Sequence, residues 1–156
     1  MASTTYHTII IRGNPYAEDL FYDRDTEDGV VAAATTIQPG QLIELDGSGN
    51  FQEHSTAADA EFETMVAVED PYPVTPTSVA IDANYVVGDL LRYVVPRQGN
   101  VLYMWLANGE NVAKGAALEA DGNGDLQALT TGKVVGYANE AVNATGGRSR
   151  IKTRML

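Results

Sequence analysis

A mainly β fold, a small β-barrel behind an extended N-terminal arm, follows from three features of the sequence. Fifteen Gly and six Pro punctuate the 156 residues, so that from Val30 onward almost every ten-residue stretch holds a turn signal and a long helical period has no room. The apolar residues come in short runs rich in Val, Leu and Ile, as strands require. A turn-strand-hairpin-strand pattern also occurs twice. The expected organisation is an arm over 1–29 and a barrel domain over 30–156, with 55–65 the only stretch able to hold a helical turn or two.

The arm is set apart by its mixture. After an alternating piece with Ile9, Ile10 and Ile11 and the turn Gly13-Asn14-Pro15 comes YAEDLFYDRDTED, which combines six carboxylates and Arg24 with Tyr16, Phe21 and Tyr22. These aromatics stand among charges rather than within apolar strands. They are candidate anchors on a partner surface, in an arm that orders on contact; a flexible solvated terminus is the plainer reading.

The repeat has an offset of 75 residues. IQPGQLIELDGSGNFQ, from Ile37, lines up with VAKGAALEADGNGDLQ, from Val112. Each copy reads as a turn, a strand, a tight Asp-Gly-x-Gly hairpin and a second strand, and Gly47, Gly49, Gly122 and Gly124 are the candidate structural turn residues because a hairpin needs positive φ. An apolar strand follows each hairpin, at Met65 to Asp70 and at Val134 to Asn139. Two copies are too few for a solenoid, so the expectation is two pseudo-symmetric halves of one barrel or sandwich.

Between the copies, Pro71-Tyr72-Pro73-Val74-Thr75-Pro76 cannot donate in a central ladder and suits a surface link. Strands are then expected over 86–95 and 100–106, the second continuously apolar and holding the only Trp, hence core. In a final strand, Arg148, Arg150, Lys152 and Arg154 share one face. That basic stripe reads as a solvated face or as a neutraliser of carboxylates on the arm or a neighbouring subunit.

Composition removes several function classes. The net charge is −11, which disfavours nucleic acid and anionic membranes as partners. The charge is uneven: residues 1–84 carry two basic and fifteen acidic side chains, a balance of −13, and 85–156 carry eight and six, a balance of +2. Without cysteine there is no thiolate nucleophile, thiolate metal site or disulfide. The start, MASTTYHTII, lacks a secretory signature and no apolar run nears the ~20 residues of a membrane span, so synthesis in the cytoplasm is expected, with retention there or in something assembled there.

Motifs for chemistry are equally thin. Asp46, Ser48 and Asn50, and Asp121, Asn123 and Asp125, have the one-three-five spacing of a calcium loop. Its sixth and twelfth positions hold Phe51 and Ala57, or Leu126 and Gly132, where Gly and Glu are needed. The two histidines, His7 and His54, sit in no catalytic pattern, and the glycine pairs lack the Lys-Ser/Thr of a phosphate loop. The segment around Lys114 resembles part of a biotinyl or lipoyl carrier barrel, but Lys133 lacks the carrier's flanking residues. The expectation is a protein with no enzymatic activity, cofactor or metal.

Taken in order, PGQLIELDGSGNFQ, VGDLLRYVV, GENVAKGAALEADGNGDLQ, VVGYANEAV and RIKTRML resemble the capsid decoration (cementing) proteins of tailed phages across 30–156. The resemblance implies a β-barrel or β-tulip-like domain, a homotrimer at local threefold sites on the outer capsid surface of the virion, the major capsid protein as partner, and an arm that orders against it. A head-fibre, tail or baseplate β module is the alternative, and a carbohydrate-binding β-barrel a more distant one.

Overall fold

The computed structural model describes residues 9–12, 20–22, 35–70 and 79–156. Its strands are Ile10–Arg12 (β1), Leu20–Tyr22 (β2), Leu42–Leu45 (β3), Phe51–Glu53 (β4), Met65–Ala67 (β5), Arg92–Val94 (β6), Val101–Leu106 (β7), Asn111–Val112 (β8), Ala117–Ala120 (β9), Leu126–Ala128 (β10), Gly136–Ala138 (β11), Val142–Asn143 (β12) and Ser149–Met155 (β13). The fold is mainly β. Among the described residues no α-helix forms; a single 3-10 turn covers Ala80–Asp82, and the stretch 55–65 holds turns and bends where a helical turn was expected.

The repeat extends well beyond the hairpins. In the first, β3 pairs with β4 as Ile43 with Glu53, Glu44 with Gln52 and Leu45 with Phe51; in the second, β9 pairs with β10 as Leu118 with Ala128, Glu119 with Gln127 and Ala120 with Leu126, each pair displaced by the same 75 positions. The next strand then joins at an equivalent place: β5 sets Val66 opposite Leu42, and β11 sets Tyr137 opposite Ala117. After it comes β6 against β5 and β13 against β11. Finally β2 lies along β6, Tyr22 opposite Arg92, as β7 lies along β13, Tyr103 opposite Lys152.

Two five-stranded units therefore result, ordered β2-β6-β5-β3-β4 and β7-β13-β11-β9-β10. In the second, β10 runs parallel to β7 through Leu126 and Leu106 and closes the barrel; the first is an open sheet among the described residues. The two like halves expected of one barrel or sandwich are present, but they do not share one barrel, because each copy pairs its own last strand and so completes its own sheet. The β8–β12 ladder at Val112 and Val142 has its counterpart in the bridge between Ile37 and Tyr85.

Packing joins the units. Leu42, Val66, Val68 and Val94 of the first sheet share a core with Leu102, Met104, Leu106, Leu118, Leu126 and Ile151 of the barrel, while Ile43, Phe51, Met65, Tyr85 and Leu91 form a second core on the sheet's other face. Burial of such side chains contributes about 1.5–3 kcal/mol each and is the main source of stability in a chain without disulfides. The expected strand over 86–95 is shorter than the sequence suggests. Gly88 adopts φ +91° and the Asp89 side chain accepts the Val86 N–H (2.8 Å), so 86–89 is a capped turn that precedes β6.

Three of the four turn glycines have the predicted dihedral: Gly49 (φ 82°), Gly122 (89°) and Gly124 (77°). Gly47 is corrected, since its φ is not positive and a Cβ there meets no atom within 4 Å. At Gly122 a Cβ would lie 2.7 Å from the Ala57 backbone nitrogen. Gly122→Val is therefore expected to cost at least ~2 kcal/mol from strain and clash, and Gly47→Ala to stay within about 0.5 kcal/mol. Urea denaturation of both variants checks this, and equal losses would contradict it.

Candidate interaction surfaces

The sequence-predicted anchors fall in different places. Tyr16 lies outside the described residues, whereas Phe21 and Tyr22 belong to β2, whose backbone is hydrogen-bonded to β6. Ile9 is fully buried, and its carbonyl accepts the Tyr103 N–H (2.7 Å) where β1 joins β7. The described parts of 1–29 are thus strands of both sheets. Removing the whole segment would take away core as well as any anchor.

The hairpin tips are built alike. Asp46 Oδ1 accepts the N–H groups of Ser48 (2.8 Å) and Asn50 (2.9 Å), and Asp121 Oδ1 those of Asn123 (2.7 Å) and Asp125 (2.9 Å). These bonds, Asn50's first, hold the Asp46 carboxyl below its ordinary pKa. Both aspartates serve the turn. Among the described residues no group of three or more His, Asp or Glu side chains is arranged to hold a metal ion.

Beside each tip sits a glutamate with the same partners and different exposure. Glu44 accepts from Gln52 (2.8 Å) and Ser55 (2.6 Å); Glu119 accepts from Gln127 (3.0 Å), Thr130, Thr131 N–H (3.3 Å) and Gly132 N–H (2.6 Å) and is fully buried. Burial pushes the Glu119 carboxyl up, but the bonds from Thr130, Gly132 and Gln127 together outweigh it and leave the pKa below its ordinary value. His54, also fully buried, has Nε2 3.7 Å from Glu44 and 3.6 Å from Asp59 and its ring 4.1 Å from Phe62.

Three members of the basic stripe find partners within the described residues, while Arg154 is exposed. Arg148 makes a bidentate pair with Asp125, Arg150 donates to the carbonyls of Pro39 (2.9 Å) and Ile81 (2.7 Å), and Lys152 pairs with Glu140 (2.9 Å). The Arg148 and Arg150 guanidiniums lie 4.6 and 4.2 Å from the Trp105 ring centroid, while its indole N–H donates to Pro39 (3.1 Å). Arg154 lies over Tyr137.

Exposed apolar side chains mark a knuckle that sequence reasoning missed, having placed it inside a strand. Val79, Val86, Val87 and Leu90 are each about half exposed (48%, 54%, 55% and 55%) around the capped Gly88 turn. Tyr85 anchors its base through a hydroxyl that donates to Val68 C=O (2.7 Å). In the second unit the corresponding stretch after β12 reads Ala144-Thr145-Gly146-Gly147, so the fold itself does not require an apolar turn there. Asp82 and Asp89 are the only charges over 79–91.

Compared with protein-family models and with curated proteins, the chain matches none.

The two glutamates separate burial from local pairing. At pH 7, Glu119→Gln places an NH2 against N–H donors and should cost about 2 kcal/mol, and Glu44→Gln, at the partly exposed equivalent, should cost under ~1 kcal/mol. Because the folded-state pKa of Glu119 is lowered, its stabilisation is complete above the ordinary carboxylate range and is lost as pH falls through the folded value. The gap between wild type and Glu119→Gln should therefore narrow from pH 7 to pH 3 in urea titrations. A gap independent of pH would contradict this.

Proposed function

We propose that this chain is a structural protein without enzymatic activity that decorates and cements the outer surface of a tailed-phage capsid, with the major capsid protein as its partner and a homotrimer at local threefold sites as its working form. The observation that carries the proposal is the apolar knuckle of Val86, Val87 and Leu90, fixed by a turn that the acidic Asp89 caps, with Asp82 nearby paired to Arg150 (3.5 Å). A rigid apolar projection loses little entropy on docking, and its acidic flank favours a basic-rimmed site. The resemblance of 30–156 to decoration proteins points the same way. Tyr16, Phe21 and Tyr22 are proposed as further anchors, each contributing about 2 kcal/mol if buried at the interface.

Co-sedimentation with expanded shells assembled from the major capsid protein tests this. Intact protein should pellet with shells; Val87→Asp, with an unchanged melting temperature, should bind at least about tenfold more weakly, a loss of ~1.4 kcal/mol, and Tyr16→Ala should weaken binding similarly. Intact protein that stays in the supernatant overturns the proposal. Binding to tails or fibres instead would make it a module of those structures.

A further inference from the structure

Within the chain, one unit docks on the other through a hairpin tip. The ladder between β3 and β4 is splayed at its open end. His54 N–H still donates to Leu42 C=O (3.0 Å), but the return path is taken by Gly124 of the second unit, whose carbonyl accepts the Leu42 N–H (2.7 Å) and whose N–H donates to His54 C=O (3.1 Å). Gln41 Nε2 donates to Asn123 C=O beside it (3.2 Å). Gly40 is also covered: a Cβ there would lie 2.9 Å from the Tyr103 carbonyl. Leu42, His54 and Gly124 are buried as a result.

The same parts exist a second time with neither tip nor seat in use among the described residues. Leu129 N–H donates to Ala117 C=O (2.9 Å), the equivalent of the His54 bond, and no return bond from Ala117 N–H to Leu129 C=O forms among the described residues. This second seat is open. Leu129 is 39% exposed where His54 is 0%, Ala117 is half-buried, and a Cβ at Gly115 meets nothing within 4 Å. The unused tip is the first hairpin. Gly49 has nearly the dihedral of Gly124, Gly47 and Ser48 are exposed, and Leu45 is 51% exposed where its equivalent Ala120 is 1%.

We infer that the first hairpin tip seats in the Ala117–Leu129 notch of a second copy of this chain, repeating between molecules the contact that Gly124 makes within one. The interface is head-to-tail, tip to notch, and covers Leu45 and Leu129 together. A contact of this kind closes into a ring when its rotation permits and extends otherwise; a closed trimer would alternate first and second units around its axis, with every tip seated and every notch filled. The inference rests on the internal repeat and stands whether or not the protein binds capsids.

The chain has no cysteine, so introduced pairs report cleanly. Ser48 and Ala116 are the equivalents of Asn123 and Gln41. Ser48→Cys/Ala116→Cys treated with a short bis-maleimide should give covalent multimers, while either single variant should give only monomer. Mixing the two single variants should give one covalent dimer. In sedimentation equilibrium, Leu129→Asp, at an exposed position, should raise the dissociation constant at least about tenfold with an unchanged melting temperature. Wild type that is monomeric at ~100 µM, a double variant that remains monomeric, Ser48→Cys alone linking as well as the pair, or Leu129→Asp associating normally would each overturn the inference.

Discussion

Gly124 is the residue on which the arrangement of the two units depends. It offers an N–H and a C=O from a positive-φ turn to the parted ends of another ladder, so two backbone groups that β3 and β4 leave unmade are satisfied without water. Leaving a buried donor or acceptor unpaired costs ~1–3 kcal/mol each, which makes the seat specific as well as adhesive. A side chain fits this gap poorly: a Cβ on Gly124 would stand 3.1 Å from the Leu42 carbonyl oxygen, on a backbone at φ +77°. The neighbouring bonds, Ala58 N–H to Ala120 (2.9 Å) and Lys133 N–H to Asp59 (2.9 Å), extend the join along the segment after β4.

Around this seat the charges of the second half find partners. Asp125 ends the tip and holds Arg148, which also donates to Gln38 of the first unit (2.9 Å), and Arg150 reaches Pro39 and Ile81. Both guanidiniums lie over the Trp105 ring. Cation–π contacts are worth more when water is excluded, so burying the strand edge also strengthens the basic face. The charge difference between the halves of the sequence is in this way partly spanned by bonds between units.

Much of this was legible in the sequence, for identifiable reasons. A hairpin whose Asp must cap two N–H groups and whose glycines must reach positive φ leaves a fixed residue signature, so the repeat and its register could be read. The wider duplication could not, because β2 and β7 correspond through Leu20-Phe21-Tyr22 and Val101-Leu102-Tyr103, a match of pattern rather than identity. Gly47 shows the same limit in small: both tips carry the Asp cap, yet only the second places its first glycine at positive φ, and nothing in the structure explains the difference. The apolar knuckle reads as strand until Asp89 is seen to cap Val86, since Val-Val and Leu-Leu are strand residues by composition. Of the candidate sites, the turn glycines were visible because backbone geometry restricts them. The seat was not, because it consists of backbone groups exposed by a splayed ladder.

The stretch between the units, 95–100, is short. It holds the second unit beside the first at an effective concentration of order millimolar or above, as short links do. The join at Gly124 is therefore insensitive to dilution, whereas any contact with a separate molecule responds to how much protein is present. Fusion of two like units in one chain thus converts what would be a concentration-dependent encounter into a permanent one and, among the described residues, leaves one hairpin tip and one notch outside the join, a polarity that two identical separate units could not possess.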